Sequence, residues 1–175
     1  MARIRWAEIR KILEQDLLCD LLKGRVQYFT TRYRKAHDDG GRVCVLVDDK
    51  EIINMPFATE YLIYAEVHRR IESEPNCEKS ISEHYNELEK EFSEKGIFEP
   101  WDFGSALDEY LSSSIQDSLN SENRLVQMFA IMDRRVGKRT LEKIRLRITD
   151  SPEWLRFFYE LRFECEGMST HQVMN

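Results

Sequence analysis

The stretch that decides the fold lies between residues 25 and 55 and reads RVQYFTTRYRKAHDDGGRVCVLVDDKEIINM. Aromatic and β-branched residues dominate three runs within it, at residues 25–35, 42–47 and 51–55, and this composition is typical of β-strands. The runs are separated by short polar segments, at residues 37–41 and 48–50, rich in the glycine and aspartate that turns favour. Because consecutive strands joined by short turns pair with their neighbours, we predict a three-stranded antiparallel meander.

Helical periodicity surrounds this stretch on both sides. Before it, one helix with Gly24 as its C-terminal cap is predicted from apolar residues at steps of three and four, namely Trp6, Ile9, Leu13, Leu17 and Leu21. After it, a helix at residues 57–74 is predicted to turn inward Tyr61, Tyr64, Ala65, His68 and Ile71. Further helices are predicted over residues 80–96, 105–119, 121–132, 140–148 and 153–166. The sequence therefore predicts an α+β fold, in which an N-terminal helix and the meander precede a mainly helical C-terminal half.

Boundary signals support this list of elements. Ser80 and Glu83 have the spacing of a capping box, and the prolines at residues 56, 75, 100 and 152 all fall at predicted boundaries. The segment after Pro75 is the best candidate boundary between an α-β-β-β-α unit at residues 1–75 and a helical unit at 80–168, although one integrated domain fits equally well. The apolar loop at residues 97–101, which clusters with Phe103, is either a plug over the core or a docking surface, and the plug is the favoured interpretation. Residues 169–175 are predicted to be a flexible tail.

Composition limits the class of protein. The chain has 175 residues, of which 42% are hydrophobic and 33% charged, with only 7 glycines and 4 prolines, which is typical of a globular domain rather than a disordered one. No apolar run approaches the length of a membrane helix or a signal peptide, so we expect a cytoplasmic protein. The four scattered cysteines have no C-x-x-C spacing, which makes buried thiols a better interpretation than a zinc site.

The net charge of -6 conceals an uneven distribution along the chain. Residues 41–129 carry eight basic and nineteen acidic residues, a net charge of -11, whereas residues 133–147 carry seven basic residues against two acidic ones, a net charge of +5. The acidic total argues against general binding of polyanions. It does not argue against a local binding site within residues 133–147, which we call the basic segment.

Two interpretations of the basic segment stay open from the sequence. It either docks on the acidic middle of its own chain or binds an external anion. For the second interpretation, Lys138 and Arg139 lie close to a predicted helix start, and the free N–H groups of a helix start favour negative charge. The candidate binding residues are Arg134, Arg135, Lys138 and Arg139. Arg32 and Arg34, two residues apart on one face of a predicted strand, are the candidates added for nucleic acid.

Other chemistries find weaker support. The α-β-β-β-α order is that of a double-stranded RNA-binding domain, but such domains place lysines where this chain has Phe57 and Glu60. Asp48, Lys50 and Glu51 have the residue types of a metal-dependent nuclease, yet no further acidic ligands are identifiable and Asp-Asp-Lys at residues 48–50 is ordinary turn chemistry. The sequence therefore predicts no catalytic residue, no metal ligand and no cofactor.

Several stretches resemble a family of small uncharacterised bacterial proteins. The most specific is Asp-Arg-Arg-Val-Gly-Lys-Arg at residues 133–139, and others lie at residues 121–126 and 152–167. The resemblance covers most of the chain. It implies a bacterial cytoplasmic protein, and it implies no activity and no catalytic residues.

Together these observations predict a non-enzymatic interaction or scaffold protein. We expect its partner to be a protein or another acidic or phosphate-bearing ligand, bound through a helix-turn-helix patch that contains the basic segment. Two alternatives stay open: a nucleic-acid-associated protein that uses the same patch, and an enzyme whose site has no recognisable motif. A membrane partner is not expected.

Overall fold

The computed structural model describes residues 5–32, 41–74 and 77–168, and it confirms the predicted α+β fold. The three strands are β1 (Val26–Arg32), β2 (Gly41–Val47) and β3 (Lys50–Pro56). The helices are α1 (Trp6–Lys11), α2 (Thr59–Ser73), α3 (Ile81–Glu94), α4 (Pro100–Ser112), α5 (Ile115–Asn120), α6 (Arg124–Met132), α7 (Lys138–Thr149) and α8 (Glu153–Cys165). The described N-terminal helix and sheet precede a mainly helical C-terminal half.

The strands form an antiparallel sheet in the order β1-β2-β3, as the sequence predicts. Asp48 and Asp49 connect β2 to β3 with φ angles of 48° and 63°, the left-handed conformation that matches a tight hairpin to the twist of its strands. One face of the sheet is apolar and buried, with Tyr28, Val45 and Ile53 in register across it. The predicted turn at residues 37–41 falls mostly outside the described residues, as does the end of the first predicted strand.

The first helix is shorter than predicted. α1 continues as a π-helical segment over Ile12–Leu17 and then stops, and a short 3₁₀ turn follows at Asp20–Leu22. The chain leaves the helix because Cys19 N–H donates to the Met132 carbonyl and Arg134 N–H donates to the Leu17 carbonyl, both at 2.9 Å. Leu21, predicted to face inward, is therefore exposed.

The predicted inward face of α2 is wrong except at Ile71, which is partly buried and packs between α2 and α3. Ile63 and Val67 are the residues that α2 buries against α3, together with Leu88 of that helix. Tyr61, Tyr64, Ala65 and His68 are instead exposed. Residues 61–65 of α2 are all apolar, so its sequence carries two apolar faces, and the position of α3 decides which one is buried.

The sequence predicts the start of α3 correctly, but it does not predict the starts of α4 and α5. The capping box of α3 is confirmed, because Ser80 Oγ accepts from Glu83 N–H at 3.2 Å while the Glu83 carboxylate accepts from Ser80 N–H at 2.7 Å. α4 begins at Pro100, five residues before the predicted start. The helix predicted over residues 105–119 is divided into α4 and α5, because Ser114 accepts from Asp117 N–H and opens a new helix.

The main hydrophobic core combines the inner face of the sheet with α4, α6 and α8, so residues on both sides of Pro75 contribute to it. The predicted plug is seen for Phe103, which is buried, and for Phe98, whose ring lies 5.5 Å from that of Trp154. Trp101 instead is 68% exposed. None of the helices in the described ranges is long and apolar enough to cross a membrane.

Candidate binding surface

The centre of the basic segment is a buried carboxylate. Asp133 follows the last residue of α6 and its side chain is fully buried. Its oxygens accept from the Tyr110 hydroxyl at 2.5 Å and from Arg135 three times: from backbone N–H at 2.7 Å, Nε at 2.9 Å and Nη2 at 2.6 Å. A buried carboxylate is tolerated because donors surround it in this way.

This arrangement alters the acidity of its members. Burial, and then the hydrogen bond to Asp133, raises the pKa of the Tyr110 phenol well above its ordinary value. The hydrogen bond to Asp133 also raises the pKa of the Arg135 guanidinium. Tyr110 therefore stays a donor and Arg135 stays a cation across the physiological range of pH.

Two further contacts fix the loop between α6 and α7. On one side, the backbone of Leu18 and Asp133 forms a short antiparallel bridge with the segment after α1. On the other, Arg162 of α8, only 1% exposed, donates from Nη2 to the Val136 carbonyl at 2.8 Å and pairs with Glu166. The loop is thus bonded to three separate parts of the fold.

The basic residues beyond the loop point to solvent. Lys138, Arg139 and Lys143 are all exposed, and none of them makes an ion pair with any residue that the structure describes. Buried Leu141, Ile144 and Ile148 form the inner face of α7. The opposite face carries Arg139, Lys143 and Leu146, the last of which is 82% exposed. We call Arg134, Lys138, Arg139, Lys143 and Leu146 the basic surface.

The four candidates from this segment have different roles. Arg134 is exposed. The hydrogen bond and the charge of Lys23 lower the pKa of Asp20, and the charge of Arg134 adds to this effect. Lys138 and Arg139 are the first residues of α7, where the N–H groups of a helix have no partner within it. Arg135 is different, because its guanidinium holds Asp133 and is only partly available.

Docking on the acidic middle of the chain is observed for Arg147. Its Nη2 donates to the Leu119 carbonyl at 2.7 Å and its Nη1 donates to the Asn120 side chain, so it closes the end of α5. These acceptors are neutral. The guanidinium of Arg145 lies over the ring of Phe163, 5.4 Å from its centre. Within the described ranges, Lys138, Arg139 and Lys143 make no ion pair with a carboxylate of the acidic middle.

Two of the predicted residues cannot be compared with the structure, and three residues that it brings forward were not predicted. Arg34 and the side chain of Arg32 lie outside the part of the chain that the structure describes. Conversely, the sequence reasoning missed Leu146, Asp133 and Tyr110. The signal for Leu146 was available, because Leu141, Ile144 and Ile148 share one helical face and leave Leu146 on the other. No sequence pattern connects Tyr110 with Asp133.

Two open clefts lie elsewhere. One, of about 480 Å³, is lined mostly by polar residues of α3, α4 and the start of α6, including Glu89, Asp102 and Glu122. The other, of about 460 Å³, lies between β3, the end of α3 and the start of α8, and includes Trp154 and Phe157. No group of three or more His, Cys, Asp or Glu residues suited to a metal ion occurs in the described ranges.

The fold and this surface define an α+β protein in which a fixed loop and the helix after it present cations to solvent. The chain belongs to the SF0329 protein family, whose model matches residues 5–163. The match includes the Asp-Arg-Arg-Val-Gly-Lys-Arg stretch at residues 133–139 and confirms the family resemblance of the sequence. No curated protein and no solved structure matches the chain.

Proposed function

We propose that this protein is a non-enzymatic interaction protein that binds an acidic partner through the basic surface. The observation that carries the proposal is the lack of ion pairs at Lys138, Arg139 and Lys143 within the described residues. Other cations in the same fold are neutralised locally: Arg70 pairs with Glu91 at 2.8 Å and Lys79 with Glu87 at 2.6 Å.

The rigidity of the loop supports the same proposal. Binding costs less when the binding groups are already held in place, because fewer side chains and backbone torsions must be ordered. Asp133, Tyr110 and Arg162 provide this order from the buried side of the loop. Arg134, Lys138 and Arg139 lie on the exposed side of the loop and at the start of α7.

The exposed Leu146 favours a protein partner over a simple phosphate ligand. A phosphate is recognised by hydrogen-bond donors and gains nothing from an aliphatic side chain. A protein interface, in contrast, combines an apolar centre with a charged rim. Leu146 lies on the exposed side of α7, one turn from Lys143 and two turns from Arg139, which resembles such a centre.

The experiment is a binding assay with the double variant Arg139→Glu/Lys143→Glu. The probe is fluorescently labelled poly-L-glutamate, and its anisotropy is followed as purified protein is added. We expect the variant to bind about tenfold more weakly, since two favourable contacts become repulsive. Arg135→Glu is unsuitable, because it would place a second carboxylate beside buried Asp133.

The matched control is Lys90→Glu/Lys95→Glu, which makes the same change of charge at exposed positions on and after α3. If the control weakens binding as much as the test variant, net charge alone is responsible and the proposed surface is wrong. A short DNA duplex serves as the second probe. Affinity for DNA that exceeds affinity for poly-L-glutamate and falls steeply between about 50 and 200 mM salt would favour the nucleic-acid alternative.

A further inference from the structure

The outer face of α2 is an exposed apolar surface. Tyr61 is 75% exposed, Phe57 and Leu62 are 48% exposed, and Ala65 lies beside them one turn further on. We call these four residues the apolar face of α2. They lie opposite Ile63 and Val67, the residues that pack against α3. Contiguous exposed apolar side chains are a feature of interaction sites on protein surfaces.

The hairpin of α2 and α3 is strongly acidic. Residues 59–94 carry ten glutamates against four basic residues, a net charge of -6. Three of those four basic residues are occupied: Arg69 pairs with Glu66, Arg70 with Glu91 and Lys79 with Glu87. Glu72, which lies on the same side of α2 as Tyr61 and Ala65, makes no ion pair with any described residue.

The basic surface has the complementary properties. It presents the unpaired cations Lys138, Arg139 and Lys143 around exposed Leu146, whereas the apolar face of α2 presents apolar groups on a hairpin of net negative charge, with unpaired Glu72 on the same side. The two surfaces do not meet within one molecule, because both Leu146 and Tyr61 are largely exposed. A second copy of the chain is therefore the partner whose charge and apolar groups match on both sides.

We propose that the apolar face of α2 binds the basic surface of a second copy, with Leu146 packed among Tyr61 and Leu62. This inference rests on the proposed function and names the acidic partner as the protein itself. The contact joins two different surfaces, so each copy offers one of each kind to its neighbours. Its strength depends on salt, because the unpaired charges at its rim are screened by ions.

The test measures the mass of the full chain by light scattering after size exclusion. The wild type is expected to exceed its chain mass of 20.9 kDa as concentration rises and to return toward it in high salt. Leu146→Glu removes the apolar centre of one surface, and Tyr61→Glu/Leu62→Glu removes that of the other. Each variant alone is expected to stay at the mass of one chain.

The mixture of the two variants is decisive. Each retains the surface that the other lacks, so an equimolar mixture is expected to form a complex of about twice the chain mass. Trp101→Glu is the control, because it removes another exposed aromatic side chain, on α4, and should leave association unchanged. Circular dichroism of every variant shows whether it is folded.

Three results would overturn the inference. A wild type that keeps the mass of one chain at every concentration excludes self-association. Leu146→Glu that associates as strongly as the wild type shows that the basic surface is not involved. Variants that fail to combine when mixed show that the two surfaces do not bind each other. In each case, binding of poly-L-glutamate by the wild type decides separately whether the proposed function stands.

Discussion

Asp133 is the residue whose replacement gives the sharpest test of the structure. Asp133→Ala removes the acceptor of a buried phenol and of three donors on Arg135. A buried hydroxyl left without a partner costs about 1–3 kcal/mol. The Arg135 side chain is 47% exposed and can turn to water, so losing its contacts adds only about 1 kcal/mol. We expect the free energy of unfolding to fall by about 3 kcal/mol.

Tyr110→Phe tests the same hydrogen bond from the other side. It removes the donor and leaves Asp133 with its bonds from Arg135, so the expected loss is about 1–2 kcal/mol. In the Asp133→Ala background the same change should cost much less, because the hydroxyl no longer has an acceptor to lose. The free energy of unfolding is therefore expected to fall in the double variant by about 1–2 kcal/mol less than the sum of the two single losses.

Urea unfolding followed by circular dichroism measures all four proteins of this cycle. The matched control replaces Tyr159, whose hydroxyl donates to the Leu141 carbonyl at 2.9 Å and does not contact Asp133. Tyr159→Phe combined with Asp133→Ala should be additive. A coupling below about 0.5 kcal/mol between Asp133 and Tyr110 would refute the reasoning, because that is the size expected of independent sites.

Three further outcomes follow from the structure. Gly96→Ala should destabilise the protein by about 1–2 kcal/mol in urea unfolding, because Gly96 has a φ of 74°, a conformation that a residue with a Cβ adopts only under strain. Stability should decline above about pH 10. Burial raises the pKa of both Tyr85 and Tyr159 to about 12, whereas a phenol in the unfolded chain ionises near pH 10, so the unfolded chain loses these protons first. Unfolding midpoints measured against pH check this expectation. Ser80→Ala should cost about 1 kcal/mol in thermal unfolding, because it removes the cap of α3.

Each of these outcomes has a matched comparison. Gly104→Ala lies within α4 with no atom close to the new Cβ, so it should stabilise by up to about 1 kcal/mol; equal losses at both glycines would contradict the backbone argument. Ser82→Ala, two residues after the cap of α3, should have almost no effect. For the pH dependence, a stability that stays constant to about pH 12 would show that the tyrosines do not titrate differently in the folded and unfolded chain.

The sheet and most helices could be predicted because their signals are local. Each strand is a short run of β-branched residues, and the Asp48–Asp49 turn and the Ser80 capping box depend on residues at most three positions apart. α2 shows where this reasoning stops. Its periodicity allowed two apolar faces, and the face that α3 covers had to be chosen by contacts between helices.

The candidate site divides in the same way. The sequence located the positive charge, because charge is a property of residues and is unchanged by folding. It could not show that Asp133 binds Tyr110, 23 positions away, or that Arg162 holds Val136 from α8. Both contacts depend on α4 and α8 packing against α6 and the loop after it.

By itself, the sequence determined the α+β class, the meander, the family resemblance and the segregation of charge along the chain. Only the tertiary structure decided which surfaces remain available. It directs Lys138, Arg139 and Lys143 to solvent, uses Arg135 to hold a buried carboxylate, and leaves Tyr61 exposed. The physical reason is that availability depends on which neighbours cover a side chain, and those neighbours are distant in sequence.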